Sequence, residues 1–83
     1  MKLAKYVKFR EESFGGVLFE TRSEKVFTLN PTATAVVREI QAGRKAEEIP
    51  RRLTERFHGE GAAIEREAKG FIDELRQRGL VED

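Results

Sequence analysis

Residues 25–40, KVFTLNPTATAVVREI, hold two incompatible hydrophobic periods on either side of one joint. Before the joint, Val26, Phe27, Thr28 and Leu29 are β-branched, aromatic or aliphatic, a composition suited to a pleated ladder, and Phe27 and Leu29 share one face. After it, Ala33, Val36, Val37 and Ile40 recur at i, i+3, i+4 and i+7, which is one stripe of a helix and no face of a strand. Asn30-Pro31 separates the two. A residue before proline is pushed out of the helical region, Asn is a strong N-cap, and Pro at the first helical position gives up no needed N–H. The joint therefore predicts a strand over Lys25–Leu29 and a helix from Pro31 to about Gln41, closed at Ala42-Gly43 by a left-handed glycine.

Upstream, Thr21, Arg22, Ser23 and Glu24 make a polar connection of hairpin length, so Val17–Glu20 is read as an antiparallel neighbour of the 25–29 strand. Phe14-Gly15-Gly16 precedes it, where paired glycines permit a bulge, a bend or the close approach of another backbone. Leu3, Val7 and Phe9 alternate with Ala4, Tyr6, Lys8 and Arg10, the pattern of a half-buried first strand over Leu3–Arg10, and Glu11, Glu12 and Ser13 form the turn after it. The sum is a three-stranded meander. Downstream, Glu47 and Glu48 open a second helix carrying Ile49, Leu53 and Phe57, with Pro50 near enough to its start to be tolerated. His58-Gly59-Glu60-Gly61 breaks it. A third helix, about Ala62 to Arg78, carries Ile64, Ala68, Phe71, Ile72 and Leu75 on one side, ends at Gly79, and sends Leu80 and Val81 back to the core. Strands first and helices after define an α+β fold in which a three-stranded antiparallel sheet is covered on one face by three helices.

Eighty-three residues (1–83) suffice for a single small domain, and six Phe with regular periodicity argue against disorder. Lys and Arg number 16 against 15 Asp and Glu, so net charge does not point to nucleic acid or an anionic membrane. Cysteine is absent, which removes disulfides, thiolate metal sites and a cysteine nucleophile. The N-terminus MKLAKYVKFREE lacks a signal-peptide apolar run, and no segment approaches the ~20 apolar residues of a membrane span, so a cytoplasmic protein is expected.

Chemistry-bearing constellations are sparse. His58 beside Glu60 has no second histidine to complete a metal or acid–base site and reads as part of a turn. Gly15-Gly16 is followed by a strand rather than a helix N-terminus, so it is no phosphate cradle. Ser13, Thr28, Thr32 and Thr34 have no histidine base within motif reach. No catalytic residue, no metal and no cofactor is expected. The closing helices and Gly79-Leu80-Val81 have the rhythm of a winged helix-turn-helix, which makes DNA binding the rival function. The third helix lacks the basic face that this needs, because Arg66, Lys69, Arg76 and Arg78 are interleaved with Glu65, Glu67, Asp73 and Glu74.

The edges of the meander are unequal. Lys2, Lys5, Lys8 and Arg10 guard the first strand, as natural edges usually are guarded, whereas Val26 to Leu29 carries no charge and has only Lys25 at its entrance. Such an edge is covered by a neighbouring element, pairs with a second copy, or accepts an incoming peptide as a fourth strand.

Taken together, Leu29-Asn30 with Ala33, Ala35, Val36 and Val37, then Gly43 with Glu47, Glu48 and Ile49, then Leu53 and Phe57, and finally Ile64, Phe71, Ile72, Leu75, Gly79, Leu80 and Val81 resemble the PqqD-like family of RiPP recognition elements over nearly the whole chain. Ala42-Gly43 stands where many members have Asp-Gly, Glu67-Ala68 where they have Asp-Val, and the Phe14-Gly15-Gly16 opening is similar to relatives from mycofactocin-type clusters. The resemblance implies a three-stranded antiparallel sheet followed by three helices in a winged-helix-like arrangement, and a peptide chaperone; a non-catalytic adaptor, as a monomer or weak homodimer, is expected. It would hold the leader of a ribosomally made precursor peptide along the third strand, against the third helix, and present it to a radical-SAM/SPASM enzyme. The expected peptide-binding residues are Lys25, Val26, Phe27, Thr28 and Leu29 on the strand, with Lys69, Ile72, Asp73 and Arg76 on the helix.

Overall fold

The computed structural model describes residues 1–56 and 60–83, and the sequence expectations for Phe57, His58 and Gly59 lie outside the described residues. The elements run β1 (Lys2–Leu3), β2 (Val7–Glu12), β3 (Gly15–Glu20), β4 (Lys25–Leu29), α1 (Pro31–Gln41), α2 (Ile49–Arg56), α3 (Gly61–Gln77) and β5 (Val81–Glu82). The sheet is the expected antiparallel meander in the order β2-β3-β4. Phe9, Leu18 and Phe27 lie abreast across its three strands.

The Asn30-Pro31 joint folds as its local chemistry requires. Asn30 stays extended and its Oδ1 accepts the Ala33 amide at 2.8 Å, with Pro31 opening the helix behind it. Both α1 and α3 close in the same way: Gly43 and Gly79 take positive φ, and the next amides, Arg44 and Leu80, reach back to the carbonyls of Glu39 and Leu75.

Gly15 has a different task. A Cβ there would stand 2.2 Å from the Leu29 carbonyl oxygen, so the start of β3 passes the end of β4 at a distance only glycine permits. The strand accordingly begins at Gly15 rather than Val17, β2 runs on to Glu12, and Ser13-Phe14 alone make the turn.

The first strand departs most from expectation. Its alternation is continuous in sequence, but the chain turns at Lys5-Tyr6, leaving Lys2–Leu3 to pair antiparallel with Val81–Glu82 while β2 begins only at Val7. Burial explains the break. Ala4 is buried and its amide donates to the Leu80 carbonyl at 2.9 Å, and the Tyr6 hydroxyl donates to the Gly79 carbonyl, so both chain ends are drawn to the C-terminus of α3. Of the four expected guards, only Lys8 and Arg10 therefore lie on the β2 edge.

The second helix begins at Ile49, not Glu47, with Pro50 in its first turn where it removes no helical bond. Helix α1 is the centre of the molecule: Val36, Val37 and Ile40 are fully buried, and even Glu39 is 4% exposed, bonded to Arg52 with Arg56 3.8 Å away. Helix α1 packs on β3 and β4, whereas α2 and α3 pack on α1 and on each other. One helix rather than three therefore sits directly on the sheet, and α3 stands off from β4.

Candidate functional site

That standoff makes a groove. Strand β4 is the outer strand of the sheet, paired only with β3, and its second edge carries no ladder among the described residues. The direction of its polar groups follows from the hairpin before it. The Thr21 amide donates to the Tyr6 carbonyl at 2.8 Å, so the odd-numbered residues of β3 bond toward β2, and Gly16, Leu18 and Glu20 bond toward β4. Phe27, opposite Leu18, is therefore held in the ladder, and the N–H and C=O groups of Val26 and Thr28 point to the open edge.

Between this edge and α3 lies a hollow of about 320 Å³ floored by the buried Leu18, Leu29, Leu75 and Leu80 and walled by Phe27 and Phe71. A second hollow of about 340 Å³ continues it past Leu29 to Asn30, with Glu67, Gly70, Phe71 and Glu74 along the helix side. Each end is spanned by a contact. The Asn30 side-chain amide donates to Glu67 at 2.9 Å, and the Arg78 guanidinium lies over the Phe27 ring. Strand and helix run in opposite directions along the groove.

The strand half of the expected site thus lines the groove, Lys25 standing exposed at the entrance to the edge. The helix half does not. Lys69, Ile72, Asp73 and Arg76 line a separate hollow of about 210 Å³ against Ala46, Glu47 and Pro50, on the α2 side of α3, and Ile72 is 3% exposed within the core. The reason lies in the helix period. The buried stripe is Ala68, Ile72 and Leu75, and it has two flanks one residue away on either side: Lys69, Asp73 and Arg76 follow the stripe, while Glu67, Phe71 and Glu74 precede it. The helix period alone treats the flanks alike, and the tertiary fold turns the preceding flank toward β4. Phe71, expected in the core, is half-buried and forms the groove wall. The one sign that could have singled out this flank is that an aromatic residue lies on it.

The cations of α3 are largely matched by acids: Lys69 with Glu65 at 3.1 Å, Arg76 with Asp83 at 3.2 Å, and Arg78 with Glu74 at 4.0 Å. Among the described residues no group of three or more His, Asp or Glu side chains gathers closely enough to hold a metal ion, and no helix is long and apolar enough to cross a membrane.

The family model for coenzyme PQQ synthesis protein D (PqqD) matches residues 15–81, from the first residue of β3 to the first of β5. The chain belongs to the PqqD family. The matched region contains both walls of the groove, β4 and α3, so the site described above lies wholly inside the PqqD match. Two solved structures share the fold. TbiB1 in complex with the TbiA(beta) leader peptide is 21% identical with a TM-score of 0.82, covering 99% of this chain and 95% of that one. Lasso peptide synthetase B1 complexed with the leader peptide is 23% identical with a TM-score of 0.79, covering 99% and 96%. No curated protein matches this sequence.

Proposed function

We propose that this chain is a non-catalytic adaptor that binds the leader segment of a ribosomally made precursor peptide and presents it to a radical-SAM modifying enzyme. The leader adds to β4 as a fourth strand, bonding the outward N–H and C=O groups of Val26 and Thr28, and drops alternate side chains into the groove against Phe71, Glu74 and Arg78. The observation that carries this reading is the uncharged Val26–Leu29 edge lying open beside a groove with a leucine floor. Membership of the PqqD family supports it, as do two structural neighbours whose names include a bound leader peptide.

A carrier that must release its cargo suits micromolar affinity, about −8 kcal/mol, which a short run of main-chain bonds and one or two buried side chains can supply. Main-chain bonds cannot read sequence, so selectivity falls to the groove. Titration of the isotope-labelled protein with the leader of its precursor tests the proposal. Amides of Lys25–Asn30 and of Gly70–Arg78 shift, and those around Arg51 and Glu55 on the exposed side of α2 stay still. Shifts confined to β2, or a tight dimer through β4 that leader does not disturb, overturn it. Sequence-selective duplex binding that weakens with salt would instead favour the DNA-binding alternative.

A further inference from the structure

The two ends of the groove differ in character. Its Phe27 end has an aliphatic floor and the Arg78 guanidinium at the rim, whereas its Asn30 end is lined by two exposed carboxylates, Glu67 and Glu74, and by no lysine or arginine. The two acids are two helical turns apart, roughly 10 Å at 1.5 Å per residue, and bracket Gly70 and Phe71. Glu67 accepts only the neutral Asn30 amide and has no ion pair among the described residues; Glu74 reaches Arg78 at the long distance of 4.0 Å.

Gly70 supplies an independent observation. It lies inside a 17-residue helix, where glycine costs about 1 kcal/mol relative to alanine. Nothing among the described residues explains that cost, since a Cβ at Gly70 would meet none of their atoms within 4 Å outside its own stretch of helix. The missing side chain leaves the half-buried Phe71 ring approachable along the helix, with an acid on either side.

We infer that the strand added to β4 carries a lysine or arginine over the Asn30 end of the groove. Its aliphatic stem lies on Phe71 in the space at Gly70, and its charge sits between Glu67 and Glu74. A large aliphatic side chain of the same strand fills the Phe27 end, at an even spacing from the basic one because only alternate residues share a face. Phe71 adds a ring face for the cation, and an acidic side chain in the same place would meet like charges on both sides. This inference rests on the strand addition proposed above and names the class of peptide that it selects.

The test is selection from a displayed library of short random peptides against the purified protein, followed by amide titration with the winners. Expected is enrichment of Lys or Arg at even spacing from Leu, Ile or Met, with β4 amides shifting. Binding of those peptides falls by about tenfold or more in the double variant Glu67→Gln, Glu74→Gln, and falls with added salt. Gly70→Gln raises the thermal midpoint, as helix propensity requires, while weakening the same peptides. Those opposite signs separate a binding role from a structural one. Peptides that shift β4 but show no basic preference, or ignore the double variant, overturn the inference and leave strand addition standing. Winners that shift amides away from β4, or no winners at all, overturn both.

Discussion

The Arg78 guanidinium lies 5.2 Å from the centroid of the Phe27 ring, joining the C-cap of α3 to the middle of β4 across one end of the groove. An exposed cation–π contact of this kind contributes about 0.5–1 kcal/mol, so its larger consequence is positional: it sets the width of the groove mouth.

Arg78→Glu is therefore expected to weaken leader binding by about tenfold, or ~1.4 kcal/mol, with the fold retained. Lys69→Glu, on the α2 side of the same helix, is expected to change affinity by less than about twofold. Calorimetric titration of both variants against one leader peptide compares the two flanks of α3, and equal losses would count against the groove as the site.

Proline scanning distinguishes the two sides of β4. Because the Val26 and Thr28 amides point to the open edge, Thr28→Pro keeps the ladder to β3 and yields a folded protein that no longer accepts a strand. Phe27→Pro removes a ladder bond from β3 and is expected to unfold much of the sheet. Circular dichroism beside leader titration reads both outcomes.

Gly15→Ala is expected to destabilise the protein by about 1–3 kcal/mol, because φ is +145 and the added methyl meets the Leu29 carbonyl. The same methyl pushes on the end of β4, so leader affinity should fall as well. Denaturant unfolding and a binding titration on one preparation separate the two effects.

Asn30→Ala removes the side-chain acceptor that caps α1 and the donor that reaches Glu67. The expected cost is ~1 kcal/mol from the cap. Asn30→Asp restores the cap oxygen but faces Glu67 with a like charge, so it should recover stability better than it recovers a properly shaped groove. Thermal unfolding and leader titration of the pair check this.

Acid sensitivity has a local source. The Glu11 carboxyl is held below the ordinary value of 4.5, first by the hydrogen bond from Arg38 and then by the charge of the same guanidinium, a contact that ties β2 to α1. A group whose folded pKa is depressed stabilises the fold fully above its unfolded pKa, and that contribution disappears as pH falls through the folded value. Glu11→Gln should therefore flatten the stability profile below pH 4.5 and leave its shape at neutral pH unchanged, as read from unfolding midpoints across the acid range.

Residues 25–43 are legible in the sequence because their signals are local. A proline's fixed φ, an Asn oxygen within reach of the third amide, and a glycine free to turn left-handed act over a few residues and do not consult the rest of the chain. The meander, the three helices and the uncharged edge follow from such signals together with periodicity. Three features are not legible there, and for one physical reason: burial of apolar surface is non-directional, so a pattern states which residues go inside but not against what. The alternation from Leu3 to Arg10 does not reveal that Lys2–Leu3 leaves its neighbours to pair with Val81–Glu82. The Gly15-Gly16 pair announces a close approach without naming Leu29 as what it approaches. The stripe Ala68, Ile72 and Leu75 identifies the inward face of α3, but its two flanks are placed symmetrically about it by the helix period, and only the aromatic Phe71 sets one apart. Only the packing of α3 on α1 and α2 decides that Glu67, Phe71 and Glu74 look onto β4, while Lys69, Asp73 and Arg76 look toward Pro50.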